Sequence, residues 1–241
     1  MKTIMKIKLA DVNFEVQSEK EFPVHGEEKY RSEEIPSEMI RITENDLIHE
    51  RASSEQKNVS DALLYSTALY RKIAEAMIDH DTLLFHGSVV CMDGNAYMFC
   101  ADSGTGKSTH ARMWREYYQD RVFMINDDKP LISVKDTDIR AWGTPWSGKH
   151  HLDTNTSAPL KGICFLERDT VNHIERISED QALPCLLKYS YRSSDPARVQ
   201  KSLALLVNMA KRIPVYTLGC NISHEAAVTA YEGMKKYETE E

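Results

Sequence analysis

Apolar and polar residues alternate along the first part of the chain, a pattern typical of β-strands with one buried face. Residues 4–9 alternate in this way, and residues 12–16 do so again. Together they predict a β-hairpin. Ile40 and Ile42 predict a further short strand, whereas residues 43–58 are strongly polar and are predicted to form a loop.

Helical periodicity starts at Ser60, a residue type that caps helices, and continues to about Asp79. Residues 198–211 and 223–235 repeat with the same period, and residues 179–189 predict a helix interrupted or begun near Pro184. In the helix that starts at Ser60, the positions predicted to face the core are Leu63, Leu64, Ile73 and Met77. In residues 198–211 they are Leu203, Leu206, Val207 and Ala210, and in residues 223–235 they are Ala227, Tyr231 and Met234.

Short apolar runs between the helices predict the strands of a larger sheet. They span residues 82–91, 95–100, 121–126, 131–134, 139–142, 163–166, 171–177 and 214–218. Asp93-Gly94 is a hairpin turn between the first two runs. Strands interleaved with helices predict an α/β fold with mixed β-sheets flanked by helices. We expect residues 1–59 to be a β-rich extension packed on a core of residues 60–241.

The stretch between the strand at 95–100 and the next helix has the form of a phosphate-binding loop, G-x-x-x-x-G-K-[ST], with Ala101 at the first glycine. Two glycines let the backbone aim N–H groups at phosphate oxygens, a lysine lies beside the β- and γ-phosphates, and a serine offers its hydroxyl to Mg²⁺. The nucleotide-binding candidates are Asp102, Ser103, Gly104, Thr105, Gly106, Lys107, Ser108 and Thr109.

The sequence on both sides decides between this interpretation and a Ser/Gly-rich surface turn. The motif needs a strand before it and a helix after it. Residues 95–100 are apolar, and residues 109–118 contain no glycine or proline. Ala101 would be strained only if its position required a positive φ.

Asp127 and Asp128 follow an apolar run that we expect to be a central strand of the sheet. An α/β sheet places its active site at the carboxyl ends of such strands. One carboxylate can coordinate the metal while its neighbour accepts a proton from an incoming hydroxyl. The alternative is a polar turn before Lys129-Pro130.

His86 is predicted to lie on a strand paired with the strand that leads into the phosphate loop. A lone histidine on a strand is usually structural, but its position next to a phosphate site makes a functional role equally plausible.

Residues 142–151 contain two tryptophans, two glycines and a proline. Either the tryptophans plug the end of the sheet, or the loop closes over a ligand with Lys149 or a histidine near phosphate. His150-His151 has no third ligand at zinc-like spacing, so no zinc site is predicted.

Composition narrows the classes of protein. The 241 residues are 41% apolar and 28% charged, with a net charge of −7 and no long basic cluster, which disfavours a nucleic-acid-binding surface. We predict no membrane span and no signal peptide, because no apolar run is long enough. The five cysteines show no C-x-x-C spacing, which indicates reduced, buried thiols in a cytoplasmic protein.

The order His86-Gly87-Ser88, a glycine-turn hairpin, the phosphate loop and Asp127-Asp128 resembles the catalytic domain of HPr kinase/phosphorylase. The resemblance covers roughly residues 60–240. That family shares its fold with the phosphoenolpyruvate carboxykinases, so the resemblance implies a core of this kind that contains the phosphate loop. HPr kinases form hexamers, so a homo-oligomer is one assembly that the resemblance implies.

The resemblance also implies roles for single residues. Lys107 and the loop backbone would bind the phosphates of ATP, and Ser108 and Asp128 would hold Mg²⁺. Asp127 would accept the proton of a serine hydroxyl on a protein, a peptide or a small molecule. His86 would lie beside the acidic pair and tune or position it.

The chain departs from the family pattern after the acidic pair, where the glycine-rich signature of HPr kinases is replaced by residues 142–148. We therefore expect a stand-alone relative with another acceptor. Two alternatives stay open: a small-molecule kinase or carboxykinase-like enzyme, and a non-catalytic module that senses ATP. The complete set of Lys107, Ser108, Asp127 and Asp128 disfavours the sensor, because sensing requires no base.

Overall fold

The computed structural model describes residues 3–19, 24–54 and 58–238. The strands, in chain order, are β1 (Thr3–Leu9), β2 (Val12–Ser18), β3 (Glu38–Ile42), β4 (Thr82–Leu84), β5 (Ser88–Met92), β6 (Asn95–Cys100), β7 (Val122–Asn126), β8 (Leu131–Val134), β9 (Ile139–Trp142), β10 (Ser157–Arg168), β11 (His173–Arg176) and β12 (Val215–Cys220). The α-helices are α1 (Glu44–Ser53), α2 (Asp61–Asp79), α3 (Lys107–Tyr118), α4 (Glu179–Tyr189), α5 (Pro196–Arg212) and α6 (His224–Glu238). The fold is mixed α/β, as the sequence predicts.

The strands form two sheets. In the three-stranded sheet, β1 and β2 make the predicted hairpin and β3 joins parallel to β2. The nine-stranded sheet has the order β4-β8-β9-β10-β6-β5-β7, with β12 beside β10 and β11 beside β12. β10 runs parallel to β6 and to β12, whereas its pairing with β9 is antiparallel. The larger sheet is therefore mixed.

Helix α2 joins the two sheets. Ser60 caps it as predicted, with its Oγ accepting the N–H of Leu63 at 3.3 Å. Its buried face shares one hydrophobic cluster with the N-terminal sheet. Leu64, Ile73 and Met77 lie in that cluster, but Leu63 is 53% exposed because it lies off the stripe, so its prediction is wrong.

The predicted loop at residues 43–58 is wrong in its first part, because this part forms α1. Thr43 and Asp46 make a capping box, with the Thr43 N–H donating to Asp46 Oδ2 at 2.8 Å. Arg71 of α2 donates to Glu50 of α1 at 2.6 Å. The polar residues thus bind the neighbouring helix, which periodicity alone could not indicate. The described part of the chain omits residues 55–57.

The predicted strand at residues 82–91 is interrupted, so the placement of His86 on a paired strand is wrong. β4 pairs with β8, whereas β5 pairs with β6 and β7. Between them, the His86 N–H donates to the Tyr189 carbonyl at 2.7 Å and the Gly87 N–H to the Asp128 carbonyl at 3.1 Å. These two hydrogen bonds fix residues 86–87, between β4 and β5, to the end of α4 and to the acidic pair.

β7 is not the central strand that the sequence predicts. It ends the order of the larger sheet and pairs with β5. Thr154 covers its other edge, because its N–H donates to the Ile125 carbonyl at 3.1 Å and its Oγ1 to the Met124 carbonyl at 2.9 Å. Since β5 is antiparallel to both β6 and β7, the carboxyl ends of β6 and β7 lie at the same edge.

The remaining helices pack on the larger sheet. α4 is continuous through Pro184. In α5 the predicted face is wrong for Leu203 and Val207, which are exposed, and the buried positions are Ser202, Leu205, Leu206, Met209 and Ala210. Ala227 and Met234 of α6 are buried as predicted. Within the described ranges, no helix combines the length and the apolar composition needed to cross a bilayer.

All five cysteines are free. Cys91, Cys100 and Cys164 are buried, as predicted, and the other two are half-buried.

Candidate active site

The loop between β6 and α3 has the backbone bends that its two glycines allow. Gly104 has φ 80° and Gly106 has φ 128°. A Cβ added at either position would meet nothing within 4 Å. The glycines are therefore needed for conformation, and the space over the loop is open. Ala101 is buried and lies outside the left-handed region, so alanine carries no strain there.

Helix α3 begins at Lys107, directly after this loop. The first N–H groups of a helix have no partner within it, and its N-terminal end carries partial positive charge. Ser108 and Thr109 lie in this first turn and line the same cavity as Lys107. The loop and the helix together make an anion-binding arrangement.

A cavity of about 860 Å³ lies over the loop and contains most of the predicted site. Its walls come from the loop, from one face of α3, from the carboxyl end of β7 and from the segment between β9 and β10. They include His86, Asp102, Ser103, Gly104, Gly106, Lys107, Ser108, Thr109, Asp127 and Asp128. Of the predicted residues, only Thr105 does not line it; Thr105 lines a smaller neighbouring cavity.

His86 links the lysine to the acidic pair. Its Nε2 lies 2.9 Å from Lys107 Nζ and 3.2 Å from Asp128 Oδ1. One ring nitrogen cannot accept from the ammonium and donate to the carboxylate at once, so these two contacts correspond to two tautomers. Burial lowers the pKa of the Lys107 ammonium, and the nearby Asp128 carboxylate offsets part of this shift.

The two adjacent carboxyl groups have opposite pKa shifts. Burial raises the pKa of Asp127, although the N–H of Gly148 donates to its Oδ1 at 2.6 Å. Burial also acts to raise the pKa of Asp128, but the hydrogen bond from His86 and the charge of Lys129 outweigh it and lower that pKa to about 2. Asp128 is therefore fixed as an anion, whereas Asp127 is the better proton acceptor of the two.

Asn126 orients the acidic pair, a role that the sequence pattern did not predict. This fully buried side chain accepts the N–H of Asp128 at 2.8 Å and the N–H of Lys129 at 2.7 Å through Oδ1. Its Nδ2 donates to the carbonyl of Thr144 at 2.9 Å. The available signal was a polar amide ending an apolar strand, which is typical of an Asx turn.

The segment after β9 has a buried tryptophan, and the residues that follow this tryptophan line the cavity. Trp146 is buried in the cluster shared by α2 and the N-terminal sheet. Gly148, Lys149 and His150 line the cavity. A Cβ added at Gly148 would lie 3.1 Å from Asp127 Oδ2, so a side chain there would press on the carboxylate. The tryptophan anchors the segment, and the residues after it face the site.

Three side chains from outside the motif brace the loop between β6 and α3, and none of them was predicted. Lys188 pairs with Asp102 at 2.6 Å, and the hydroxyl of Tyr189 donates to the same carboxylate at 3.1 Å. Arg168, at the carboxyl end of β10, donates to the carbonyls of Gly104 and Thr105. The parallel pairing of β10 with β6 explains the position of Arg168, but a sequence pattern does not reveal that pairing.

A second cavity, of about 460 Å³, lies beside the loop at the carboxyl ends of β10 and β12. Its lining includes Leu166, Cys220 and Ile222 as well as His110. Trp114 Nε1 donates to His110 Nε2 at 3.0 Å, which puts the proton of the neutral ring on Nδ1. Burial lowers the pKa of His110 to about 4, and its buried Nδ1 has no hydrogen-bond partner within the described ranges.

Comparison with known proteins gives a matching family model and similar solved structures. The model of the family described as SynChlorMet cassette protein ScmC matches residues 54–227. None of the curated proteins matches the chain. Among solved structures, the chain is similar to the HPr(Ser) kinase/phosphatase from Coxiella burnetii, with 10% identity and a TM-score of 0.37 over 64% of this chain and 98% of that chain.

Proposed function

This chain belongs to the ScmC family of SynChlorMet cassette proteins, and we propose that it is a kinase that transfers the γ-phosphate of ATP to a serine hydroxyl with Mg²⁺ as cofactor. The acceptor is a protein, a peptide or a small molecule. One observation carries the proposal: a single cavity joins a glycine-bent loop at a helix N-terminus to one buried carboxyl group and one fixed carboxylate.

The loop supplies the groups that bind a triphosphate. Its positive-φ glycines leave open space, the first turn of α3 directs N–H groups into that space, and Lys107 adds a positive charge. Arg168 and Lys188 hold the loop from outside through Gly104 and Asp102. This bracing favours a preorganised anion site over a mobile surface turn.

The donor groups for Mg²⁺ are the hydroxyl of Ser108 and the carboxylate of Asp128, both of which line the cavity. Hard oxygen ligands of this kind are what Mg²⁺ prefers, and the low pKa of Asp128 keeps its oxygens charged. When bound, Mg²⁺ neutralises charge that develops on the transferring phosphate.

Asp127 is the proposed base. It takes the proton of the serine hydroxyl as the serine oxygen bonds to the γ-phosphorus and the bond from that phosphorus to the bridging oxygen breaks, releasing ADP. Its raised pKa favours proton uptake, and the Gly148 N–H fixes one oxygen while the other stays available. His86 positions Asp128 by donating to that carboxylate, and in this tautomer the ring does not accept from Lys107, which is left to bind phosphate.

The second cavity is the proposed site of the nucleoside. It adjoins the loop through Gly104, Gly106 and Thr109, which line both cavities. Leu166 and Ile222 offer apolar surface to a base, and His110 lies in the same wall. The acidic pair lies in the larger cavity, so the acceptor would enter from that side.

The test is transfer of labelled γ-phosphate from Mg-ATP to free serine, serine peptides and lysate proteins, with Lys107→Ala as the variant. We expect labelled product from the wild type and at least about a hundredfold less from the variant, because a charge aimed at the transferring phosphate is lost. Lys161→Ala removes an exposed lysine outside the cavity and is the matched control. Equal transfer by Lys107→Ala and the control would refute the proposal.

A further inference from the structure

Part of the larger cavity is not needed to bind the nucleotide. Beyond the phosphate loop its walls carry Arg112, Arg115 and Lys149, which we name the cationic wall. Its neighbours are His150 and the apolar side chains of Met124 and Leu152. The cavity that contains the acidic pair therefore also carries three basic side chains that the proposed phosphate and Mg²⁺ sites do not use.

The two arginines extend one face of α3 away from the phosphates. Ser108, Arg112 and Arg115 are spaced four and three residues apart, which places them along one side of the helix. At 1.5 Å per residue, Arg115 lies about 10 Å along the axis from Ser108. The backbone positions of Arg112 and Arg115 therefore lie about one and two turns beyond Ser108, and all three residues line the same cavity.

The cationic wall is poorly neutralised by the protein. Arg115 Nε is buried and has no hydrogen-bond partner among the described residues. Arg112 makes one loose ion pair, with Glu116 at 3.7 Å. Lys149 is exposed and forms no ion pair with any residue that the structure describes. Arg112 and Lys149 are exposed and little neutralised, so a ligand with acceptor oxygens would pair with charges that the protein leaves open.

The cationic wall also lies close in the chain to the proposed base. Lys149 directly follows Gly148, whose N–H binds Asp127. An acceptor with its hydroxyl at Asp127 would therefore reach Lys149 within the span of a residue or two, and the two arginines of α3 line the same cavity.

We propose that the acceptor is anionic: it carries a carboxylate within one or two residues of the serine hydroxyl, and this carboxylate binds Arg112, Arg115 and Lys149. The inference rests on the proposed kinase function and names the chemistry of its acceptor. The carboxylate has two sources, the main-chain terminus of a serine or an acidic side chain beside it. Arginine is suited to both because its planar fork binds a carboxylate with two parallel hydrogen bonds.

Matched pairs of acceptors separate these sources. The first pair is free serine and serinamide. The second pair is a peptide that ends in serine and the C-terminal amide of that peptide. The third pair is a peptide with an internal serine beside aspartate and the same peptide with asparagine in place of that aspartate. With Mg-ATP we expect the charged member of at least one pair to be preferred about tenfold or more in kcat/KM, as is typical of a charge-assisted hydrogen bond. Equal kcat/KM within all three pairs would overturn the inference.

The variants Arg115→Gln, Arg112→Gln and Lys149→Gln test which side chains bind the acceptor carboxylate. We expect the preference for the charged acceptor to fall to about threefold or less, with the KM for ATP unchanged within about twofold. Lys149→Gln is on an exposed loop and keeps the test valid if an arginine variant fails to fold. Lys161→Gln makes the same charge change outside the cavity and should retain the preference. A raised KM for ATP with an unchanged acceptor preference would assign the wall to the nucleotide and refute the inference.

Peptide binding, measured by fluorescence anisotropy with a non-hydrolysable ATP analogue and Mg²⁺ present, distinguishes the two proposals. If no acceptor is phosphorylated but the charged peptides still bind more tightly than the neutral ones, and lose that advantage in Lys149→Gln, the kinase proposal fails and the anionic site stands. If charged and neutral peptides bind alike, the anionic site fails, whatever the transfer assay gives.

Discussion

At the scale of single residues, neighbours in sequence are given different chemistry by their surroundings. Asp127 is buried and accepts the Gly148 N–H, whereas the Asp128 carboxylate contacts His86 and the Lys129 ammonium. The sequence suggested that the pair divides its roles, but it could not assign the roles from the residues alone. The assignment depends on which of the two carboxylates lies beside His86 and Lys129. The interruption between β4 and β5 at Gly87 and the turn at Asn126 determine this.

The lowered pKa of Asp128 predicts a pH-dependent contribution to stability. Because its pKa in the folded state, about 2, lies below its ordinary value of 3.8, the ionised carboxylate stabilises the fold at pH values above about 4. This contribution is lost as the pH falls from about 4 to about 2. At pH 7 we expect Asp128→Asn to lower the free energy of unfolding by about 1–2 kcal/mol, after allowance for its partial exposure.

Urea unfolding at pH 7 and at pH 3 measures this effect. The difference in the free energy of unfolding between the wild type and Asp128→Asn should be smaller at pH 3 than at pH 7. Asp136→Asn changes an exposed carboxylate outside the cavity and should show little difference at either pH. A difference for Asp128→Asn that is the same at both pH values would contradict the assigned ion pairs.

At the scale of elements, the sequence predicted regular structure well where local signals sufficed. The hairpins β1–β2 and β8–β9, helix α2 and the strand, loop and helix around the phosphate motif all follow from periodicity, capping and turn residues. The wrong predictions depend on contacts distant in sequence. Helix α1 gains its polar partners from α2, β7 is placed by pairing with β5, and the strand at 82–91 is broken by bonds to α4 and Asp128.

A buried carboxylate, Asp153, makes several of the contacts that hold the segment after β9 to the N-terminal part of the chain. Asp153 accepts from Lys29 Nζ at 3.1 Å, from the hydroxyl of Tyr30 at 3.2 Å and from Ser147 Oγ at 3.0 Å. Ser147 precedes Gly148, which binds the proposed base. The N-terminal extension therefore contributes to positioning the site, a role that the sequence did not suggest.

We expect Asp153→Asn to lower the free energy of unfolding by about 1–3 kcal/mol, because charge-assisted hydrogen bonds at a buried group are weakened. Hydrogen exchange should accelerate at the amides of residues 147–153. Asn155→Ala, which removes a bond from an exposed side chain to the Lys29 carbonyl, is the control and should leave those amides protected. Unchanged exchange in Asp153→Asn would show that other contacts hold the segment.

At the scale of the whole molecule, the N-terminal sheet and the rest of the chain share a core. One cluster contains Phe14 and Ile42 from the small sheet, Leu69 and Ile73 from α2, and Trp146 from the segment beside the site. The sequence division into an extension of residues 1–59 and a core of residues 60–241 stays a prediction. The shared cluster indicates that the two parts depend on each other for stability.

A chain that begins at residue 58 tests this dependence. It would expose the buried face of α2, including Leu64, Leu69 and Ile73, at a cost of about 1.5–3 kcal/mol for each large side chain. We expect it to aggregate or to unfold without a cooperative transition, whereas a chain that begins at residue 3 should unfold like the full protein. Thermal unfolding of both chains is measured by calorimetry. A cooperative transition in the shorter chain at the Tm of the full protein would contradict the shared core.

The central claim, that this cavity transfers a phosphate with Asp127 as the base, is tested most directly by Asp127→Asn. Transfer of γ-phosphate and calorimetric binding of Mg-ATP are measured on the same preparation. We predict that transfer falls by about 10²–10⁴-fold, the usual contribution of general-base catalysis, while the Kd for Mg-ATP changes by less than about threefold. Unchanged transfer, or lost nucleotide binding, would contradict the assigned role; ATP binding without transfer by the wild type would favour a sensor.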